Sequence, residues 1–224
     1  MVSLRERFLK VQQEIEKACK RSGRDLRELT LVAVSKSQPV EVLKEAVSLG
    51  IKVFGENRVQ EAERKIELLG HNVEWHLIGH LQSNKARKAV RLFDAIHSVD
   101  SVKIAGVLER ICFDENRQSL PVFVQVNLSG EKTKSGVSEK DLPILIDFLK
   151  SCARLQLIGF MTLPPFFDDV ERVRPFFKKL RLIRDELLPN GYLSMGMSHD
   201  FSVAIEEGAT HLRIGTAIFG ERLF

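Results

Sequence analysis

Eight short apolar runs of strand length, each separated from the next by a stretch of helical length, constrain this chain more than any other feature. The runs are LVAVSK (31–36), IKVFGEN (51–57), VEWHLIG (73–79), FDAIHSVD (93–100), LPVFVQVNL (120–128), LQLIGFM (155–161), YLSMGMS (192–198) and THLRIGTAIFG (210–220). In the first, Leu31, Val32, Ala33 and Val34 are apolar at consecutive positions, the pattern of a parallel strand covered on both faces. Helices are expected between them: from Pro39 to about Leu49, through Leu69, from Gln82 to Leu92, to about Phe113, from Ser138 to Cys152, from Pro164 and Pro165 to Leu188, and over 202–208. Residues 3–22 precede this series as an amphipathic helix with Leu4, Phe8, Val11, Ile15 and Ala18 on one face, suited to covering the bottom of a sheet or barrel. The fold expected is α/β, a single (β/α)8 TIM barrel with an extra N-terminal helix. An open doubly wound sheet is the alternative, but eight units without an obvious crossover reversal close more readily than they stay open. No Pro/Gly-rich linker divides the series, so residues 1–224 read as one domain.

Composition narrows the classes of function. Of 224 residues, 34 are basic and 30 acidic, a net charge of +4 scattered along the chain with no aromatic-and-basic stripe, which argues against a nucleic-acid binder. Three widely spaced cysteines, Cys19, Cys112 and Cys152, suit reduced thiols better than a disulfide framework. The charged N-terminus lacks the apolar core of a signal peptide, and no run approaches membrane-spanning length. A cytoplasmic location without membrane attachment is expected.

In a closed parallel barrel the C-terminal strand ends converge on one mouth, where ligands bind. The ends here are Lys36, Asn57, Gly79, Asp100, Asn127, Met161, Ser198 and Thr216. Alone, Lys36 reads as a solvated lysine opening a loop, whereas partial desolvation at the mouth would free its amine to attack a carbonyl. MGMSHD (195–200) places Ser198 at a helix N-terminus, which favours an anion, and RIGTAIFG (213–220) supplies Gly215 for close backbone approach and Thr216 as a hydroxyl donor. Loops after strands seven and eight are the usual phosphate site of such a barrel. Arg213 alternates with Leu212 and Ile214 and so points inward; it needs either a carboxylate or a hydrogen bond to a ligand ring atom. An amine, a phosphate cradle and an inward arginine together suggest pyridoxal 5'-phosphate, its aldehyde held by Lys36 as a Schiff base.

VAVSK (32–36), FGENRVQE (54–61), WHLIGHLQSNK (75–85), SMGMSHDFSVAI (194–205) and RIGTAIFGER (213–222) closely resemble the YggS-like family of pyridoxal-phosphate homeostasis proteins, and the resemblance runs through the whole chain. It implies a barrel similar to the N-terminal domain of alanine racemase, with the cofactor on Lys36. By motif position it also implies that Ser198, Gly215 and Thr216 bind the phosphate, that Arg213 faces the pyridine nitrogen, and that Asn57 lies beside the cofactor. An always-charged arginine there disfavours a protonated ring and weakens the electron sink that carbanion chemistry needs. Racemases of this fold also bring a tyrosine from a second domain across a dimer, whereas the one tyrosine here, Tyr192, starts strand seven at the end opposite the mouth. The expected protein holds the cofactor and hands it over, as a monomer with apo pyridoxal-phosphate enzymes as transient partners.

Two other classes stay open, a racemase of the same barrel type and a cofactor-free Schiff-base aldolase using Lys36 on a sugar phosphate. Four further expectations concern single residues. His76 and His80 flank a strand-end glycine and do not form a zinc pair. His199 is a solvated loop residue, Met195 and Met197 pack, and Lys134 is a surface lysine with some reach toward the mouth. GHLQSNK (79–85) either orders a loop over the cofactor or simply starts a helix.

Overall fold

The structure, a computed structural model, describes residues 2–70, 72–131 and 135–221. Eight strands run in parallel and close in sequence order: β1 (Thr30–Val34), β2 (Val53–Glu56), β3 (Glu74–Leu77), β4 (Ala95–Val99), β5 (Leu120–Gln125), β6 (Leu155–Met161), β7 (Tyr192–Ser194) and β8 (His211–Ile214). The seam is a regular ladder in which Val32 of β1 lies opposite Arg213 of β8 and Ala33 opposite Ile214. This is the (β/α)8 barrel expected.

The outer layer comprises α1 (Leu4–Ser22), α2 (Val40–Ser48), α3 (Val59–Leu69), α4 (Ala86–Leu92), α5 (Val102–Asp114), α6 (Leu142–Ser151), α7 (Arg174–Leu187), α8 (Phe201–Glu206) and α9 (Thr216–Phe219). Helix α1 starts where Ser3 and Glu6 form a reciprocal capping box, and it stops at Gly23, whose φ of 66° an L side chain adopts only with strain. Its face Leu4, Phe8, Val11, Ile15 and Ala18 is buried against α8, α9 and α2, so the helix covers the seam from outside and not the bottom of the barrel. Arg7 pins it there by donating to the carbonyls of Ile218 (2.8 Å) and Phe219 (3.2 Å). Among the described residues no helix is long and apolar enough to cross a membrane.

Strand alternation sorts the side chains. Outward residues such as Phe54 and Trp75, stacked at 5.3 Å, join the helices in the main core, while Val32, Val34, Val53 and Ile78 form a separate cluster inside the barrel.

Two expected strands are shorter than their apolar runs, and both corrections bear on the mouth. YLSMGMS continues past Ser194 as a loop, because Asp200 accepts the Met197 N–H (2.6 Å) and turns the chain into α8, which begins only at Phe201. THLRIGTAIFG stops pairing at Ile214; Ile218 and Phe219 donate back to the Gly215 carbonyl, each at 2.9 Å, and make α9. The helix that starts at the mouth is therefore α9, with Thr216 as its first residue, and Ser198 lies in the turn before α8.

Candidate functional site

Lys36, Asn57, Ser198, Arg213, Gly215 and Thr216 line one cavity of about 570 Å³ at the C-terminal mouth. That volume lies within the roughly 300–1,000 Å³ usual for small-molecule sites. Gly79, His80, Gln125, Ser135, Leu163, Met197 and His199 complete the wall with Val34 and Ile78. Of the other strand ends, Asp100 and Asn127 line a neighbouring hollow, and Met161 is buried in the barrel. Lys134 lies outside the described residues.

The turn that carries Lys36 is strapped to the neighbouring strand and helix. The Ser35 amide donates to the Gly55 carbonyl (3.1 Å) and its hydroxyl to Glu56 Oε1 (2.5 Å), while the Ser37 amide donates to Glu61 Oε1 (2.5 Å) with Ser37 at φ 62°. Lys65 Nζ gathers the strap by donating to the Ser35 carbonyl (2.6 Å), Glu56 (2.7 Å) and Glu61 (2.7 Å). Glu56 is fully buried, and burial pushes its pKa up, with Lys65 and the Ser35 hydroxyl pulling it partly back. Glu56 lies in FGENRVQE, but its role depends on the outward side of β2 facing α3, which periodicity alone does not reveal.

Across the mouth, Ser198 Oγ accepts the backbone N–H groups of Gly215 (3.2 Å) and Ala217 (3.1 Å), joining the two loops that sequence spacing suggested for an anion. The Ser198 hydroxyl proton is left to donate elsewhere. A Cβ at Gly215 would press on Val34 at 3.3 Å, so the glycine also serves the packing of the seam. Arg213 is buried and its guanidinium donates to Ser194 Oγ (2.6 Å) and the Thr162 carbonyl (2.9 Å), neither of them a carboxylate. Burial lowers its pKa to about 10, with Asp200 opposing, so it stays a cation at neutral pH.

His199 is the exposed loop residue expected, with Nε2 3.0 Å from the Phe167 carbonyl, its ring on Phe166 at 5.0 Å and a place on the cavity lip. One expectation about this region needs correction. Met195 is core, but Met197 is partly exposed on the cavity wall. His76 and His80 are separate, as expected: the first is buried inside the barrel, and the second stands at the mouth 3.5 Å from Asp100. In GHLQSNK, Gly79 and His80 belong to the wall, whereas Ser83–Lys85 forms a short 3-10 turn leading into α4.

Gly79 fixes the position of Asn57, because a Cβ there would sit 2.3 Å from the Asn57 carbonyl oxygen and 2.7 Å from its Cα. Gly79→Ala is expected to displace the Asn57 loop and to cost about 1–3 kcal/mol. Denaturant unfolding checks this, and an unchanged midpoint would contradict it.

A parallel barrel with a lysine on the turn after its first strand, an inward arginine on its last and a serine that ties together the loops after its last two strands, all on one cavity, defines a class of small-molecule-binding barrels. The alanine racemase N-terminal domain family matches residues 11–223. A pyridoxal phosphate homeostasis protein of Aquifex aeolicus is 44% identical over 227 residues, 98% of each chain. The structure of PipY from Synechococcus elongatus with pyridoxal phosphate bound superposes with a TM-score of 0.81 at 37% identity, covering 92% of this chain and all of that one. Alanine racemase of Corynebacterium glutamicum, at 16% identity and a TM-score of 0.66, shares the fold over 94% of this chain and 60% of its own. The chain belongs to the YggS-like family of pyridoxal phosphate homeostasis proteins.

Proposed function

We propose that this protein binds pyridoxal 5'-phosphate in the mouth cavity, attached to Lys36 as a Schiff base, and serves as a carrier and reservoir in cytoplasmic cofactor homeostasis. The observation that carries the reading is the convergence of Lys36, Asn57, Ser198, Arg213, Gly215 and Thr216 on one cavity although they lie up to 180 positions apart in sequence.

The residues fit the group chemically. Lys36 is the one lysine among the described residues of the cavity wall and supplies the amine. The Ser198 and Thr216 hydroxyls form a neutral donor pair suited to a phosphate, and Gly215, whose amide is engaged by Ser198 Oγ, leaves the backbone beside them free of a side chain. Arg213 and Asn57, both on the cavity wall, would hold the ring, the first from the floor and the second from the side. When bound, the cofactor supplies an aldehyde that forms imines with amines. Arg213 would bring a fixed positive charge to the ring nitrogen of a bound cofactor, disfavouring a proton there and so limiting the electron-withdrawing power that racemisation needs. The phenol of Tyr192, at the first residue of β7, belongs to the opposite end of the barrel. Together these features favour holding and delivery over turnover.

The protein is proposed to act as a monomer and to meet apo pyridoxal-phosphate enzymes transiently. Absorbance titration of loaded protein with an apo-enzyme acceptor tests the reading. Stoichiometric loss of the visible band with matching gain of acceptor activity is expected, and no transfer would count against it.

A further inference from the structure

Barrel interiors of this type are filled mostly by branched apolar side chains. The β1 and β2 side follows that rule with Val32, Val34 and Val53, but β3, β4, β7 and β8 turn polar residues inward. His76, His97, Ser194 and Arg213 are each at most 4% exposed. Polar groups this deep are costly unless every one finds a partner.

Their contacts form a single line. Arg213 Nη1 lies 2.6 Å from Ser194 Oγ, Ser194 Oγ lies 2.8 Å from His97 Nδ1, and His97 Nε2 lies 3.0 Å from His76 Nδ1. His76 Nε2 then faces Glu74 Oε2 at 3.6 Å, on a side chain 65% exposed at the start of β3. Among the described residues Ser194 Oγ meets two polar partners, Arg213, which can only donate, and His97 Nδ1, so its own hydroxyl proton is satisfied by running to the imidazole, and the line then takes one direction. Ser194 accepts from Arg213, and its own hydroxyl proton has His97 Nδ1 as acceptor. His97 therefore carries its proton on Nε2 and donates to His76 Nδ1, since one proton fits between the two nitrogens. That leaves the His76 proton on Nε2, toward the carboxylate.

Other groups pack beside this line and not within it. Phe123 lies 4.1 Å from the His97 ring, and His211, 5.8 Å from His97, is engaged by Thr210 Oγ1 at 2.9 Å and by the Tyr192 ring at 5.2 Å. Burial holds the pKa of His97 well below the usual histidine range and that of His211 at about 3, so both stay neutral at physiological pH.

We propose that Ser194, His97 and His76 form a directed hydrogen-bond relay that pairs buried Arg213 with Glu74 at the far end of the barrel and holds the guanidinium in place at the cavity floor. Ser194 and His97 are thus positioning residues; Asp200 is the carboxylate whose charge acts on Arg213 directly, and Glu74 terminates the line at its far end. Aligned bonds of this kind polarise one another, so the charge presented at the cavity depends on an intact line. The effect on cofactor rests on the reading of Arg213 given above; the proton positions do not.

The test has two arms. Long-range proton–nitrogen correlation NMR on cofactor-free, nitrogen-15-labelled protein is expected to show His97 and His76 each protonated at Nε2 and bare at Nδ1. A proton on His97 Nδ1, or an imidazolium at His97, would overturn the relay. In the second arm, Ser194→Ala is expected to shift the visible band of the loaded protein and to weaken retention of pyridoxal phosphate about tenfold, the scale of one charge-assisted hydrogen bond. Ser194→Thr, which keeps the hydroxyl, should restore both, and Glu74→Gln should move the band in the same direction by less. A folded Ser194→Ala protein with unchanged band and retention would overturn the positioning role. If the tautomers are found but wild-type protein takes up no cofactor, the relay stands and the reading of the cavity fails.

Discussion

Lys36→Ala is expected to abolish the Schiff-base absorbance band of the cofactor-loaded protein and to weaken retention of pyridoxal phosphate by at least about tenfold, roughly 1.4 kcal/mol. The size follows from the composition of the wall. Lys36 is the one lysine among its described residues, so no other wall amine takes over the aldehyde, while Ser198, Gly215, Thr216 and Arg213 still offer the phosphate and ring non-covalent contacts. Residual weak binding that lacks the Schiff-base band is therefore expected, and absorbance spectroscopy with equilibrium dialysis separates the two effects. The fold should be unaffected, because Lys36 lies after β1 and the strap that orders its turn is made by Ser35 and Ser37. A variant that keeps the Schiff-base band would contradict the assignment.

The largest loss of stability is expected from Lys65→Met. Lys65 is 5% exposed and donates to Glu56, Glu61 and the Ser35 carbonyl, so the substitution leaves the fully buried Glu56 carboxyl without its cation. Breaking one side of a buried pair costs about 3–5 kcal/mol. The sign of the pH dependence follows from Glu56. Its folded-state pKa is raised above the ordinary 4.5, so the folded protein binds an extra proton between that value and the raised one, and stability falls as pH rises through this window. Without Lys65 the pKa climbs further, so the deficit should be larger at pH 8 than at pH 5. Denaturant unfolding at the two values checks this. The variant should also take up cofactor poorly, because the turn bearing Lys36 loses its brace.

What could be read from the sequence was whatever depends on local period. The eight apolar runs gave the closed barrel, the alternation of Leu212, Arg213 and Ile214 turned the arginine inward, and strand order brought Lys36 and Ser198 to one rim. Helix starts were less legible, because an apolar run such as TAIF is compatible with strand or helix; the bonds back to the Gly215 carbonyl decide for helix. The polar column was not read, although alternation offered a signal: Glu74 and His76 on β3, and His211 and Arg213 on β8, occupy inward positions. Their meaning depends on pairings such as Ser194 with His97, 97 positions apart, which no local pattern encodes. The Lys65 strap escaped for the same reason, since a lysine on an amphipathic helix reads as solvated until Glu56 is placed beneath it.

The central claim is that one amine at the mouth carries the cofactor. Borohydride reduction of the loaded protein, followed by proteolysis and mass-spectrometric peptide mapping, tests it most directly. The label is expected on the peptide containing Lys36, at one equivalent per chain; a label on Lys134 or Lys85 with Lys36 unmodified would contradict it.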